Sequence, residues 1–317
     1  MTASADVTRR EAWVMAARPQ TLPAGAAPVV LGVGLAVADG VVAPLPAVAA
    51  LLGALLIQIG TNFANDYYDA MKGTDTDERE GFTRVTAGGL LSPGEVRRAM
   101  FGTYLLAILV GAYLVLLGGV PILVIGLSGI AAGILDTGGP YPYGYYGLGD
   151  LFVFVYFGIA AVAGTYYVQA VDSLGVGLFP VGIPDGTVTA GALLVGAAAG
   201  ALSTAILVVN NIRDLETDSK AGKRTLAVIL GYRYSRVEFV GLFVVAYATP
   251  LVLWAGLGYS VFVLAPLVTL PISLKLIRVV STRTDGEALN PALERTGQVF
   301  AIYSLLFALG LTVPVVI

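Results

Sequence analysis

Cysteine and histidine are both absent from this 317-residue chain. Without them the protein can form no disulfide, no thiolate or imidazole metal site, no histidine-held haem, and no Ser-His or Cys-His nucleophile. Any chemistry must therefore use carboxylates, amides, tyrosines, lysines and arginines. Charge is also scarce: charged residues make up 12 % of the chain, against roughly a quarter in ordinary soluble domains.

What the chain has instead is apolar sequence, with 57 % hydrophobic residues and a mean hydropathy of +0.83. Several runs are long enough to cross about 30 Å of hydrocarbon as helices. The runs are continuously apolar rather than alternating, which favours helices over a β-barrel. The sequence predicts an all-α membrane protein with nine spans, at about 22–38, 44–64, 96–118, 120–135, 151–171, 187–209, 235–256, 259–280 and 296–317.

The basic residues predict the orientation of these spans. All 18 lysines and arginines fall in the N-terminal tail or in and beside the 2–3, 6–7 and 8–9 connections. With nine spans these segments share one face, and an excess of basic residues in short loops marks the cytoplasmic face. Residues 1–21 are therefore expected to be a cytoplasmic lead-in, and residues 22–317 a single intramembrane domain. A cleaved signal peptide ending at Ala36-Val37-Ala38 is a less favoured alternative.

Two acidic clusters stand at the ends of apolar runs, NFANDYYD at 62–69 and NNIRDLETD at 210–218. Each is followed by a basic, glycine-containing loop, and the clusters lie four spans apart, hence on the same face of the membrane. In each cluster an amide and two carboxylates have the spacing of one helix face. These residues are Asn62, Asp66 and Asp69 in the first cluster, and Asn211, Asp214 and Asp218 in the second.

A single acidic cluster beside a span is ordinarily a solvated loop. Here the polar residues begin before each apolar run has ended, and polar groups at that depth usually face the interior of a bundle. Crowded carboxylates repel one another unless cations lie between them. Hard oxygen ligands suit Mg²⁺, which favours one or two carboxylates plus substrate phosphate. The two clusters can therefore hold two ions around one diphosphate.

Basic side chains near the clusters fit the same ligand, because they can contact diphosphate oxygens that the metals leave free. The alternative is that they only obey the positive-inside rule, which needs no ligand. The candidates for diphosphate binding are Lys72, Arg79, Arg84, Lys220, Lys223 and Arg224.

These features resemble the UbiA superfamily of intramembrane aromatic prenyltransferases, whose members carry an NDxxD-type first motif and a DxxxD-type second motif in a nine-span helical fold. Within it, several segments are similar to the naphthoate prenyltransferases of menaquinone synthesis, and TGGPYPYGYYGLGD is the most diagnostic of them. The similar segments are ARPQTLPA (17–24), NDYYDAMKGTDTDER (65–79), RVTAGGLLSP (84–93), TGGPYPYGYYGLGDLFVF (137–154) and NNIRDLETDSKAGKRTLAVILG (210–231).

Two positions depart from the wider family pattern. The ubiquinone-type spacing NDxxDxxxD would end in an aspartate at position 73, where this chain has Gly73, and the menaquinone-type enzymes share that difference. Asp136, just before TGGPYPY, stands where the resemblance predicts an aromatic residue, so it bears directly on the acceptor pocket.

The resemblance implies transfer of a polyprenyl group from polyprenyl diphosphate to 1,4-dihydroxy-2-naphthoate, with loss of diphosphate and CO₂. It implies two Mg²⁺ ions, with Mn²⁺ as a substitute, held by Asp66, Asp69, Asp214 and Asp218, while Asn65 and Asn211 orient the carboxylates. It also implies a prokaryotic cell membrane, with the site on the cytoplasmic face, lipid as the surrounding partner and no role for nucleic acid. The candidate acceptor-binding residues are Arg18, Gln20, Asn62, Tyr141, Tyr143 and Tyr145, although the tyrosines can equally be interface anchors.

Three other functions are alternatives to this one. Another UbiA-type acceptor is possible within the superfamily: homogentisate, 4-hydroxybenzoate or a glycerol-phosphate lipid. A divalent-cation transporter could line a path with paired acids, but here the acids cluster at one face. The CDP-alcohol phosphotransferases, another class of intramembrane Mg²⁺ enzyme, are disfavoured because their DGxxAR and GxxxDxxxD signature is absent.

Overall fold

The computed structural model describes residues 7–73 and 84–314, and within these ranges the regular structure is entirely helical. Short 3₁₀ turns and one π-helical segment, Val155–Ala160, link or interrupt the α-helices. The α-helices are α1 (Arg9–Ala17), α2 (Leu22–Ala38), α3 (Pro44–Lys72), α4 (Pro93–Leu135), α5 (Gly149–Phe154), α6 (Ala161–Ser173), α7 (Ala190–Arg213), α8 (Leu215–Lys220), α9 (Leu226–Leu257), α10 (Leu270–Thr282) and α11 (Gly286–Thr312).

Seven helical stretches in the described residues are long and apolar enough to cross a membrane. One of them, α4, contains two of the predicted spans, because its backbone leaves the helical region at Gly119 (φ 61°, ψ −144°). Tyr104 and Gly133, about equally far from Gly119 along the chain, both lie against Thr61 of α3. The two arms of α4 are therefore antiparallel. With these arms and α11 counted separately, the described residues give the nine predicted spans.

Glycine is required at the α4 reversal. A Cβ on Gly119 would lie 1.8 Å from the carbonyl oxygen of Pro180, and the positive φ of this residue is itself strained for other side chains. The neighbouring amide of Val120 donates a hydrogen bond to the same carbonyl at 3.0 Å. The reversal is thus fixed against the connection between α6 and α7, on the face opposite to the acidic clusters.

Helix α7 forms the centre of the bundle. Its small residues allow close approach: a Cβ on Gly158 of the π-helical segment would lie 2.4 Å from the Cα of Gly200. On its other sides the helix packs against α9 and α11, where Phe239 and Phe300 are fully buried. The second acidic cluster is therefore attached to the most enclosed helix of the protein.

Helix α3 extends well beyond its predicted end at residue 64, to Lys72. Asn62, Asp66 and Asp69 consequently lie on one continuous helix, as their spacing predicted. The helix ends at Gly73, which caps it in the left-handed conformation (φ 66°). An ordinary side chain at this position would be strained, which gives a physical reason for the glycine where the wider family pattern has aspartate.

Candidate active site

Asp66 is 1 % exposed and accepts two hydrogen bonds from Thr86. The backbone amide of Thr86 lies 3.1 Å from Oδ2 of Asp66, and the hydroxyl donates to the same oxygen. Thr86 belongs to the short turn that precedes α4. The turn therefore folds back over the end of α3 and covers the first carboxylate of the cluster.

Asp69 is 2 % exposed and is surrounded by donors from three separate segments. Arg84 approaches Oδ2 at 3.0 Å, the hydroxyl of Tyr145 donates to Oδ1 at 2.6 Å, and the ammonium of Lys223 lies 3.6 Å from Oδ1. Because Lys223 follows the second motif and Asp69 belongs to the first, this contact brings the loop after the second acidic cluster against the first cluster.

The connection after α4 docks onto the end of α3. The ammonium of Lys72 donates to the carbonyl oxygens of Thr137 (2.6 Å) and Gly139 (3.2 Å), and the hydroxyl of Thr137 donates to Oδ1 of Asn65 at 3.0 Å. These bonds hold the segment that carries Tyr145 beside Asp69.

The second cluster is paired locally. Asp214 is 4 % exposed and takes two bonds from its neighbour Arg213, from Nε at 2.8 Å and from a terminal nitrogen at 2.7 Å. The same guanidinium donates to the side-chain oxygens of Asn210 (2.8 Å) and Asn290 (2.9 Å). Asn290 lies on α11, so Arg213 fastens the end of α7 to another helix as well as pairing with the carboxylate.

The other predicted residues of this region occupy varied positions. Asp218 is half-buried, one turn beyond Asp214, and its amide donates to the Asp214 carbonyl oxygen at 2.7 Å. Asn211 is buried, whereas Lys220 and Arg224 are exposed. The backbone amide of Arg224 donates to the carbonyl oxygen of Tyr145 at 3.0 Å. Arg79 lies outside the described residues.

Tyr143 begins a row of stacked aromatic rings that leads away from Asp69. Its ring lies 4.0 Å, centre to centre, from Phe152, which is 6.0 Å from Tyr156. The Tyr143 hydroxyl donates to the carbonyl oxygen of Ala132 at 2.9 Å. Burial, together with the nearby Asp136, raises the pKa of Tyr143, so this hydroxyl remains a donor. The row offers flat apolar surface for a planar ring.

Asp136 is half-buried at the end of α4, with Oδ1 so close to Gly144 that a Cβ there would lie 2.5 Å away. Burial raises its pKa to about 6, and the neighbouring charge of Asp69 adds to the effect. Its carboxyl group also lies near enough to Tyr143 to contribute to the raised pKa of that tyrosine. Asp136 therefore belongs to the region between the acidic site and the aromatic row.

The remaining acceptor candidates are dispersed. Asn62 donates to the carbonyl oxygen of Ala17 and to the hydroxyl of Thr21, each at 2.9 Å, and so ties α3 to the lead-in. Arg18 adopts a left-handed backbone (φ 51°) between α1 and the following turn. Gln20 is exposed, and Tyr141 is 77 % exposed, with its ring against Tyr146 rather than the aspartates.

The chemistry of the donor set is compatible with a divalent cation. Asp66, Asp69 and Asp214 are buried carboxylates held beside cationic or hydroxyl donors. No three acidic side chains of the described residues lie close enough to enclose an ion by themselves. This arrangement suits Mg²⁺, which takes one or two carboxylates and completes its octahedron with water and substrate phosphate.

Three contacts were missed by the sequence analysis. Thr86 lies within the RVTAGG segment and Arg213 within NNIRDLETD, yet the sequence patterns gave neither residue a role. For Arg213 the available signal was an arginine at the end of an apolar helix. Tyr145 was assigned to the acceptor, but in the structure its hydroxyl contacts Asp69. No sequence pattern indicated that contact, because it joins residues 76 positions apart.

Comparison with known proteins agrees with this fold. Residues 26–312 match the UbiA prenyltransferase family. The chain belongs to this family. It is 39 % identical over 296 residues to the 1,4-dihydroxy-2-naphthoate octaprenyltransferase of Mycobacterium tuberculosis, covering 93 % of this chain and 95 % of that protein. The Escherichia coli protein of the same name is 37 % identical and covers 96 % of both chains.

Solved structures of UbiA proteins share the fold. A UbiA homolog from Archaeoglobus fulgidus, bound to DMAPP and Mg²⁺, superposes with a TM-score of 0.62 at 17 % identity, over 95 % of this chain and 98 % of that one. A UbiA homolog from Aeropyrum pernix gives a TM-score of 0.66 at 12 % identity, over 91 % of this chain and 96 % of that one. At such identities the similarity establishes the architecture of this UbiA protein, including the predicted all-α membrane fold.

Proposed function

We propose that this UbiA protein transfers a polyprenyl group from polyprenyl diphosphate to 1,4-dihydroxy-2-naphthoate, releasing diphosphate and CO₂ and giving demethylmenaquinol, the reduced form of demethylmenaquinone. The observation that carries the proposal is the 3.6 Å approach of Lys223 to Asp69, which supports one diphosphate site shared by the two aspartate motifs. The names of the relatives from M. tuberculosis and E. coli support the naphthoate as acceptor.

The diphosphate head group would lie between the two motifs. Asp66, Asp69, Asp214 and Asp218 would hold two Mg²⁺ ions, with Mn²⁺ as a substitute. When bound, these ions would neutralise charge on the departing diphosphate. Lys72, Arg84 and Lys223 would line the same site, with Lys220 at the end of α8 and Arg224 just beyond it. Arg79, outside the described residues, stays a candidate for the same role. As Arg84 and Lys223 already pair with Asp69, they can pass from the carboxylate to diphosphate oxygens without a large movement.

The residues favour ionisation of the allylic C–O bond. Fixed cationic donors in a site with little water stabilise the negative charge that develops on the leaving group. The electron-deficient allylic carbon lies towards the membrane interior, where the aromatic faces of Tyr143 and its neighbours can stabilise positive charge by cation–π contact. The apolar tail would leave between helices into lipid.

The naphthoate would stack on the aromatic row formed by Tyr143, Phe152 and Tyr156. Its carboxylated ring carbon attacks the allylic carbon as the C–O bond to diphosphate breaks. The C–C bond to the carboxylate then breaks, CO₂ leaves, and the electron pair of that bond restores aromaticity. Because CO₂ rather than a proton is lost from the ring carbon, the reaction needs no net base, which agrees with a chain that has no histidine.

The distribution of basic residues supports a site at the cytoplasmic side. The ends of α3 and α7, which carry the motifs, lie on the face where the lysines and arginines concentrate, and this bias marks the cytoplasmic face. We therefore propose a multi-pass protein of a prokaryotic cell membrane, with its active site towards the cytoplasm.

The acceptor is tested with purified protein, a polyprenyl diphosphate and an equimolar mixture of 1,4-dihydroxy-2-naphthoate, homogentisate and 4-hydroxybenzoate. We expect a prenylated naphthoquinol, identified by mass, together with CO₂ and diphosphate. Since 4-hydroxybenzoate loses only a proton on prenylation, its carboxylate would remain on the product. Prenylated 4-hydroxybenzoate or homogentisate as the main product would overturn the acceptor while leaving a prenyltransferase.

The cation requirement is tested separately. Activity should disappear in excess chelator and return with Mg²⁺ or Mn²⁺, and free diphosphate should compete with the prenyl donor. Electron paramagnetic resonance of added Mn²⁺ then measures ion binding without turnover. Activity that survives excess chelator would exclude the metal-bridged diphosphate.

A further inference from the structure

Tyr145 contacts both halves of the site. Its hydroxyl donates to Oδ1 of Asp69 at 2.6 Å. Its ring lies beneath two ammonium groups, with Nζ of Lys223 4.8 Å and Nζ of Lys72 5.2 Å from the ring centre. Its carbonyl oxygen accepts from the amide of Arg224 at 3.0 Å. The residues it contacts thus come from the first motif and from the loop that follows the second.

We propose that Tyr145 is the positioning residue of the diphosphate site and does not bind the aromatic acceptor. The inference rests on the proposed function and refines it. Tyr145 comes from a third segment, the connection between α4 and α5, and it joins the two motif segments through one side chain. The acceptor role expected from the sequence would instead fall to Tyr143, which stacks on Phe152.

The hydroxyl and the ring would hold different groups. A hydroxyl donating to a carboxylate forms a charge-assisted bond that fixes the direction of the remaining oxygen lone pairs. Asp69 is therefore held in the orientation in which it can ligate an ion. The π face attracts ammonium groups and keeps Lys72 and Lys223 together although their charges repel. Two lysines held at one ring form a doubly charged surface that suits a diphosphate.

Tyr145 and its neighbour Tyr146 have different surroundings in the structure. Tyr146 is 53 % exposed, and its ring is tilted against Tyr141, 6.4 Å away. Both tyrosines lie in the same short 3₁₀ turn, Tyr143–Tyr146. Substitutions at Tyr146 should therefore perturb the turn to a similar extent while leaving the contacts of Tyr145 with Asp69 and the lysines in place. They are the matched control.

The experiment compares Tyr145→Phe and Tyr145→Leu with Tyr146→Phe and Tyr146→Leu in the full-length purified protein. Three quantities are measured: Mn²⁺ affinity by electron paramagnetic resonance, binding of geranylgeranyl diphosphate by calorimetry with Mg²⁺ present, and KM for the naphthoate. Tyr145→Phe removes the bond to Asp69 and keeps the ring. We expect Mn²⁺ affinity to fall about 10-fold, as for other residues that orient metal ligands, with KM for the naphthoate unchanged.

Tyr145→Leu removes the ring as well, so affinity for geranylgeranyl diphosphate should fall by about a further fivefold. The Tyr146 variants should match the unmodified protein in all three quantities. A rise in KM for the naphthoate with unchanged Mn²⁺ and donor binding would overturn the inference and return Tyr145 to the acceptor. So would equal losses in Tyr145 and Tyr146 variants. If Tyr145→Leu does not fold, the Mn²⁺ result for Tyr145→Phe decides.

The outcome is independent of the acceptor assignment. Mn²⁺ and geranylgeranyl diphosphate binding need no acceptor, so they test Tyr145 even if the unmodified protein fails to prenylate the naphthoate. Failure of the proposed function would appear as no naphthoate product from unmodified protein, whereas failure of this inference would appear only as a difference between variants.

Discussion

The two aspartate clusters lie at matching ends of α3 and α7, yet they are held in different ways. Asp69 is paired with Arg84, Tyr145 and Lys223, all distant in sequence. Asp214 is paired with Arg213, the preceding residue. The first cluster is complete only when several segments have come together, whereas the second has its counter-charge as soon as α7 forms. Equivalent motifs can thus be stabilised by tertiary contacts in one half and by local contacts in the other.

The largest effect should come from removing one carboxylate of each cluster. Asp69→Asn and Asp214→Asn should each lower kcat/KM by about 10²-fold or more, since each removes a carboxylate from the proposed diphosphate site. Because the ligands act as a unit, the double variant should be little worse than either single variant. Turnover is measured beside thermal melting in detergent. Near-normal turnover in either single variant would remove that residue from the site.

Arg213→Met tests the local pairing of the second cluster. It leaves Asp214 buried without its counter-charge, which costs about 3 kcal/mol of stability. Added Mg²⁺ should restore more of the melting temperature in this variant than in the unmodified protein, because an ion bound to the folded state replaces the guanidinium.

Arg236→Met is the matched control for Arg213. Its guanidinium bridges α9 to the carbonyl oxygens of Val280 and Arg283, each at 3.0 Å, without a carboxylate. We expect about 1 kcal/mol of lost stability and no enhanced response to Mg²⁺. If Mg²⁺ raises the melting temperature of both arginine variants equally, the guanidinium of Arg213 does not occupy a position where Mg²⁺ can bind.

Thr86→Val tests a tertiary contact of the first cluster. It removes the hydroxyl that donates to Asp66 but keeps the backbone amide bond. Loss of one bond to a buried carboxylate costs about 1.5–3 kcal/mol, and we expect turnover to fall about tenfold. Thr86→Ser retains the hydroxyl and should recover most of both losses. Equal behaviour of the valine and serine variants would show that the hydroxyl is unimportant.

The smallest effect concerns Asp136, beside the first cluster. Because burial and the charge of Asp69 raise its pKa to about 6, the folded protein holds the proton of Asp136 more tightly than the unfolded chain does. The neutral carboxyl group therefore contributes to folding stability. That contribution is fully present below the ordinary aspartate pKa of about 3.9 and is lost as pH rises through about 6. Asp136→Asn, which is always neutral, should therefore melt higher than the unmodified protein at pH 8 and equally at pH 4. A constant difference across this range would exclude the titration.

The sequence predicted the parts of this structure that depend on local pattern. Long apolar runs fix helices in a membrane, and the spacing of Asn62, Asp66 and Asp69 placed them on one face of α3. The reversal of α4 was predicted as a break between two spans, but its cause, the close approach of Gly119 to Pro180, is tertiary. The helix boundaries moved outward because polar residues at the membrane surface continue a helix that apolar content alone would end.

The partners of the aspartates were much less predictable. The contact of Thr86 with Asp66 and that of Tyr145 with Asp69 join residues far apart in the chain, and no periodicity encodes such pairs. Arg213 is adjacent to Asp214, yet an arginine there has an equally good explanation in membrane topology. Residue type and helix phase therefore select the candidate side chains, while only the packed bundle decides which of them meet.

The one-sided distribution of basic residues has a consequence for how the protein enters a membrane. All 18 lysines and arginines stay on the side of synthesis if that side is the cytoplasm, so no cation is translocated. Where the cytoplasm is electrically negative, carrying one such charge across 100 mV costs about 2.3 kcal/mol, and inverting the bundle would multiply that cost many times. The orientation of this UbiA protein would then be decided once, during insertion, and the membrane potential would oppose any later inversion of the helix bundle.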